Sequence, residues 1–289
     1  MPFLIQYGTA PKKSEGENQD RYHIAPNNNL AAIADGAGGY GAYVGQWADT
    51  LLKALPTETF DNAQALHQWL MPIATQFFEQ YQLIAQQHDF TYAKFLDEGS
   101  AATLTAAWLN PNTQQLNIWL YGDSPYMLLD HQTNILQMPP SLSQLSAFSN
   151  KTQHLNWNAD HAFKPNHAHT QQLTLNTHQT LLLATDALAQ FILIRYLLSQ
   201  PHNTDCKQQL TNALQQNGLQ AQLISANQHL NLPFEELISQ LRNTLQTPNN
   251  PPDNNNFKTL LYQWFDQGLI EEDDYTLISI TYNSSTDSL

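Results

Sequence analysis

Cysteine is almost absent from this 289-residue chain: Cys206 stands alone, which excludes an internal disulfide and points to a reducing compartment, the cytoplasm. Cations are scarce as well. Eleven Lys and Arg against 25 Asp and Glu leave a net charge of −14, and no basic block occurs, so neither nucleic acid nor an anionic membrane surface is an expected partner. No apolar run approaches the ~20 residues of a membrane helix, and Met1 to Lys13 holds too short an apolar stretch for a secretory leader. Charged residues make up only 12%, and Asn, Gln and His are abundant, a bias that resembles disorder until the regular aliphatic and aromatic spacing is read. Only Asn249 to Asn256, with Pro248, Pro251 and Pro252, reads as a linker. At 42% hydrophobic, the chain can build the core of one large domain spanning 1–289.

Strand signals come first: Phe3 to Tyr7, Arg21 to Ala25 and Leu30 to Ala34, separated by turns. The period then becomes helical, with Val44, Trp47, Ala48, Leu51 and Leu52 on one face. From Asn62 to about Gln87, Leu66, Leu70, Ile73, Phe77 and Ile84 share another face, where Pro72 predicts a kink or split. Ala101 to Leu109, Leu116 to Tyr121 and Tyr126 to Leu129 read as an antiparallel meander, and Gln172 to Asn176 with Thr180 to Ala184 as a strand pair. Leu188 to Leu198 predicts a buried helix, and a closing strand alternates through Thr276, Ile278, Ile280 and Tyr282. This order lacks the regular alternation of a doubly wound parallel sheet. It predicts an α+β fold, a four-layer α/β/β/α sandwich of two antiparallel sheets flanked by helices.

Five aspartates, Asp20, Asp35, Asp123, Asp186 and Asp273, sit where apolar strand-like runs begin or end. Antiparallel strands bring such junctions to shared edges, and clustered carboxylates repel unless cations hold them, so the pattern predicts one shared metal site.

Around these aspartates, separated motifs resemble, in order, those of the type 2C metal-dependent Ser/Thr protein phosphatases, bacterial type. They are Asn18-Gln19-Asp20-Arg21, Ala34-Asp35-Gly36-Ala37-Gly38-Gly39, Gly99-Ser100-Ala101-Ala102 with Tyr121-Gly122-Asp123-Ser124, Leu181 to Leu188 through Thr185-Asp186-Ala187, and Asp273-Asp274-Tyr275-Thr276. The resemblance implies hydrolysis of phosphomonoesters on phosphoserine or phosphothreonine proteins by a metal-activated water, in signalling opposite a cognate Ser/Thr kinase. It implies two, or three, Mn²⁺ or Mg²⁺ ions: Asp35 bridging two metals, the Gly36 carbonyl on the first, Asp186 and Asp273 on the second, Asp20 orienting metal-held waters, and Asp123 with Asp186 at a third site.

The chain departs from the family pattern in places. Ala37 stands where many eukaryotic members have a His, and Lys12 and Lys13 are the only cations near the position of a phosphate-gripping Arg, which a lysine replaces as a point charge without the fork. A catalytically weak or inactive pseudophosphatase serving as a regulatory binding module is therefore the alternative. Asp186 and Asp273 stand 87 positions apart, a longer interval than in compact members, and the excess at 205–256 reads as a helical insert packed on the outside. Gly36 to Gly41 satisfies G-x-G-x-x-G, but Asp35 would repel a pyrophosphate and no second parallel strand follows. His154, His161, His167, His169 and Asp160 match no compact zinc spacing, and Ser100 and Ser124 lie in no nucleophile elbow.

Overall fold

A computed structural model describes residues 2–14, 17–148, 153–158, 161, 163–248 and 255–283. In chain order the elements are β1 (Phe3–Ala10), β2 (Arg21–Ile24), β3 (Leu30–Ala34), β4 (Gly36–Gly41), α1 (Val44–Lys53), α2 (Ala63–Ala85), α3 (Asp89–Glu98), β5 (Ser100–Ala102), β6 (Leu104–Asn110) and β7 (Gln115–Tyr121). They continue with β8 (Tyr126–Asp130), β9 (Ile135–Gln137), β10 (Leu155–Asn156), β11 (His169–Thr174), β12 (Gln179–Ala184), α4 (Asp186–Ser199), α5 (Thr204–Gln215), α6 (Leu219–Gln228), α7 (Phe234–Asn243), α8 (Asn255–Asp266) and β13 (Tyr275–Tyr282). The α+β class is as expected, with two five-stranded antiparallel sheets, each flanked by helices.

The chain divides into two compact units. The first comprises Met1–Glu17, Pro125–Lys151 and Leu175–Leu289; the second, Asn18–Ser124 and Thr152–Thr174. In the first, the sheet order is β1-β13-β12-β8-β9, so the first strand pairs with the last, Phe3 opposite Tyr282 and Ala10 opposite Tyr275. Leu188, Phe191 and Ile192 of α4, Leu237 and Leu241 of α7, and Phe257 and Leu261 of α8 cover one face over Met127, Leu182 and Leu277. Each such fully buried side chain contributes about 1.5–3 kcal/mol. The foreseen buried helix is α4, apolar nearly all round.

In the second unit the sheet order is β11-β7-β6-β3-β2, beside a small sheet β10-β5-β4. Trp47, Leu51 and Leu52 of α1, Leu66, Leu70 and Phe77 of α2, and Phe95 of α3 form its core with Ala32, Leu104 and Ala106.

Several connections differ from the sequence expectation. The meander ends at β7: β8 joins the other sheet, because Pro125 offers no N–H and Ser124 is tied back to Thr103 and Thr105. Likewise β11 pairs with β7 whereas β12 pairs with β8 and β13, so the expected strand pair spans two sheets. The run from Ala101 to Leu109 breaks at Thr103, which bonds Asp35 instead of continuing the ladder. Helix α2 does not split at Pro72 but continues from Ala63 to Ala85, and the carbonyl freed by the proline belongs to exposed Gln68. Its apolar face drifts, leaving Ile84 42% exposed while Ala85 is buried.

Between 205 and 256 the described residues include α5, α6, α7 and the start of α8, and α7 is part of the first core instead of lying outside it. Just beyond α7, Gln246 exchanges both backbone hydrogen bonds with Tyr7 (2.8 and 2.9 Å), pairing with β1 where that strand is the edge of its sheet.

A Cβ on Gly8 of β1 would sit 2.6 Å from the Phe257 ring and 2.9 Å from Leu245. Gly8→Ala is expected to lower the unfolding free energy in urea by about 1–3 kcal/mol through overpacking. An unchanged midpoint would mean that the α8 seat is looser than described.

Candidate functional site

Antiparallel register gathers the aspartates at sheet edges. In the second unit Arg21 pairs with Ala34, so Asp20, just before β2, and Asp35, just after β3, lie at one edge. Ile33 pairs with Thr105 and Leu104 with Tyr121, which brings Asp123 to the same edge. In the first unit Ala184 pairs with Leu277, so Asp186, opening α4, and Asp273, preceding β13, share an edge. Asp20 and Asp123 are buried, 3% and 7% exposed, whereas Asp35, Asp186 and Asp273 are half-buried.

The backbone at Asp35 is clamped from both sides. Its N–H donates to the Thr103 hydroxyl (3.0 Å) and its carbonyl accepts from the Thr103 N–H (2.8 Å). The Thr103 and Ser124 hydroxyls are 2.8 Å apart, and Thr105 donates to the Ser124 carbonyl, so one buried hydroxyl chain ties the Asp35 corner to the Asp123 turn. Gly122 takes φ 111° with its α-carbon against Thr103, where a Cβ would come within 2.6 Å of Cγ2. At Gly36 an added Cβ would meet the Gln19 carbonyl at 2.9 Å; only glycine lets the β2 entry and the Asp35 corner approach so closely. Asn18 accepts from the Asp20 N–H (2.9 Å), and Arg21 donates to the carbonyls of Asn18 and Asp20.

The other edge is built on threonines too. Thr185 and Thr276 exchange two hydrogen bonds: Thr185 N–H to the Thr276 carbonyl at 3.1 Å, and Thr276 N–H to the Thr185 hydroxyl at 2.9 Å. Thr9 adds a hydroxyl contact to Thr276 at 3.0 Å. Asp186 accepts from Ala187 N–H (2.6 Å) at the N-terminus of α4, where the helix dipole favours a carboxylate. Asp273 accepts from Asp274 N–H (2.8 Å), and buried Asp274 accepts from the Lys12 backbone N–H (2.8 Å), tying the chain after β1 to this edge. Burial pushes the Glu271 carboxyl up, reinforced by the Asp273 charge, and burial likewise raises the Tyr275 phenol.

Lys13 forms an ion pair with Asp266 at 2.5 Å, both side chains exposed, so its hold there is weak and exchangeable. Sequence reasoning missed Thr103, Thr185 and the buried partner Asp274; the signal for the threonines was a lone hydroxyl at the end of an Ala- or Leu-rich run. Ser100 and Ser124 are fully buried supports, consistent with their exclusion as nucleophiles. Gly36 to Gly41 form β4, paired with β5 at Gly36 and Gly41, and the Gly41 N–H donates to Glu98.

Among the described residues, no three His, Cys, Asp or Glu side chains form a group that could hold a metal ion. The edge donors nevertheless fit hard divalent cations in kind: carboxylates and a carbonyl, without thiolate or imidazole. Asp160 lies outside the described residues. Burial pushes the His154 imidazole down to about 4.

No protein-family model matches the sequence, and no curated protein matches it. Solved structures do. PppA, described as a key regulatory component of the T6SS in Pseudomonas aeruginosa, is 14% identical over 98% of this chain and 99% of its own, with a TM-score of 0.52. The serine/threonine phosphatase Stp1 from Staphylococcus aureus is 15% identical over 97% and 96%, with a TM-score of 0.50. The catalytic domain of the serine threonine protein phosphatase PstP, solved with 2 manganese ions, is 14% identical over 98% and 100%, also at 0.50. The chain shares its fold with bacterial type 2C Ser/Thr phosphatases along essentially its whole length.

Thr103→Val should cost about 1–3 kcal/mol, because it orphans the buried Asp35 N–H and Ser124 hydroxyl; chemical denaturation against Thr113→Val, on an exposed turn, checks this. For His154, the folded value lies below the unfolded one of about 6.5. Its contribution to stability is therefore present above that pH and lost as pH falls toward about 4. His154→Gln should flatten the unfolding free energy between these pH values by about 1–3 kcal/mol, and parallel curves for the two proteins would refute the assignment.

Proposed function

We propose that this chain is a metal-dependent protein serine/threonine phosphatase, with Mn²⁺ or Mg²⁺ held by Asp35, the Gly36 carbonyl, Asp186 and Asp273. The reading is carried by the whole-length likeness in fold to Ser/Thr phosphatases, one of them solved with two manganese ions. It gains support from the five aspartates, which register places at sheet edges. Bound divalent cations would supply Lewis acidity, neutralising phosphoryl oxygens and lowering the pKa of an attacking water.

Within this reading, the chain's own residues position and exclude. The half-buried Asp35, Asp186 and Asp273 face enough solvent to meet ions, while in this reading buried Asp20 would orient water and buried Asp123 would serve a third ion. Thr103 and Thr185 hold the backbones that carry these carboxylates. Ala37 has no proton to give, so the leaving alkoxide takes one from water. Lys13 would grip the substrate phosphate by exchanging its exposed pair with Asp266, with Lys12 beside it. Phosphoserine and phosphothreonine proteins are the substrates in this reading, a Ser/Thr kinase the opposing enzyme, and the cytoplasm the compartment, in keeping with the lone free Cys206. No helix among the described residues is long and apolar enough to cross a membrane.

A second reading, an inactive regulatory module, is favoured by one observation: the cation nearest the phosphate-gripping position, Lys13, is paired with Asp266. Phosphate release from a phosphothreonine peptide, with Mn²⁺ binding followed in parallel by calorimetry, separates the two. The phosphatase is expected to need Mn²⁺ and to lose at least ~100-fold in turnover, together with Mn²⁺ affinity, in Asp186→Asn of unchanged circular dichroism. Activity that survives EDTA or the Asp186 substitution would falsify the metal assignment, and a folded chain that neither hydrolyses the peptide nor binds Mn²⁺ would support the regulatory module.

A further inference from the structure

Away from the aspartates, the first unit holds a cleft of about 460 Å³ between its sheet and α7. Gln6 and His131 line it from the sheet, and Glu235, Ser239, Arg242 and Asn243 from the helix. Gln6 pairs with Ser279, four residues along β13 from Tyr275, so the cleft lies roughly 13 Å from the Asp273 edge of the sheet.

Its polar groups are poorly matched within the protein. The Arg242 guanidinium is partly desolvated, its pKa lowered by burial, and it has no carboxylate partner among the described residues. Its Nε is buried without a hydrogen bond, as is Glu235 Oε1. Glu235 turns its other oxygen to His131 Nδ1 (3.3 Å), and His131 Nε2 is held by Thr180 (2.8 Å). Buried polar groups left this way cost about 1–3 kcal/mol each, so an unpartnered guanidinium nitrogen and carboxylate oxygen on the helix wall of one cleft mark a place built to receive a polar guest.

We infer that this cleft binds a small carboxylate bearing an amine or hydroxyl donor, of amino-acid size. Arg242 offers a planar fork that matches a carboxylate, and the Glu235 carboxylate offers an acceptor for the donor group. The Gln6 amide, on the sheet wall of the cleft, offers a further donor and acceptor. A phosphate dianion suits the cleft less, since Glu235 stands beside the only arginine lining it. Ligation here would couple α7 to the sheet, and the inference is independent of the phosphatase reading.

Isothermal titration calorimetry of the whole chain with glycine, L-serine, acetate and inorganic phosphate tests it. Glycine and L-serine are expected to bind saturably below about 10 mM and more tightly than acetate, with at least ~10-fold weakening in Arg242→Met. Arg242→Lys, which keeps the charge without the fork, should weaken binding as well and serves if Arg242→Met does not fold; Glu235→Gln should remove the preference for amino acids over acetate. No saturable binding by any of the three carboxylates, equal affinity in the Arg242 variants, or tighter binding of phosphate would each overturn the inference.

Discussion

Antiparallel register is the constraint on which the rest of this structure depends. Asp186 and Asp273 are separated by most of the helical content of the first unit, yet the pairing of β12 with β13 leaves them at one sheet edge. The lock is chemical as well as geometric. Thr185 and Thr276 exchange two buried hydrogen bonds at that end, so a slip of one residue would orphan both and turn Leu181, Leu183 and Ile278 to the wrong face. The second unit uses the same device, with the Thr103 hydroxyl between the Asp35 N–H and the Ser124 hydroxyl.

Buried hydroxyls recur at both edges because a strand end carrying a carboxylate cannot be stabilised by apolar burial alone. A threonine keeps β-branched packing on one side and supplies a donor or acceptor on the other, which holds the backbone while leaving the carboxylate to other partners. Glycine does the complementary work. Where Gly36 approaches Gln19 and Gly122 approaches Thr103, any side chain would push apart the segments that carry Asp20, Asp35 and Asp123.

The helical interval after α4 has a structural task that its polar composition conceals. Leu237, Ile238 and Leu241 bury α7 in the core of the first unit, and Gln246 caps the edge of β1. The exposed and cleft-lining positions of the same helix carry Glu235, Ser239, Arg242 and Asn243, so one element both closes the sheet and walls a polar cleft. A segment that contributes this much apolar contact is not separable from the core of the first unit.

Much of this was legible from local chemistry. The α1 face of Val44, Trp47, Ala48, Leu51 and Leu52, the buried α4 and the strand positions of the aspartates follow from periodicity and turn residues, which are encoded within a few residues of each site. What adjacent segments do next is not local. Nothing between Tyr121 and Tyr126 states that β7 and β8 belong to different sheets, and nothing between β11 and β12 states that they part, because a tight turn and a sheet-to-sheet passage use the same Gly, Pro and Asn residues. Pro72 gave a locally sound reason for a break that an exposed helix face made unnecessary. The sequence by itself determined which residues form elements and which acids stand at their ends. Only the tertiary structure decided which strands pair, which threonines hold the acids, and that α7 leaves Arg242 in a polar cleft, since these depend on contacts between segments far apart along the chain.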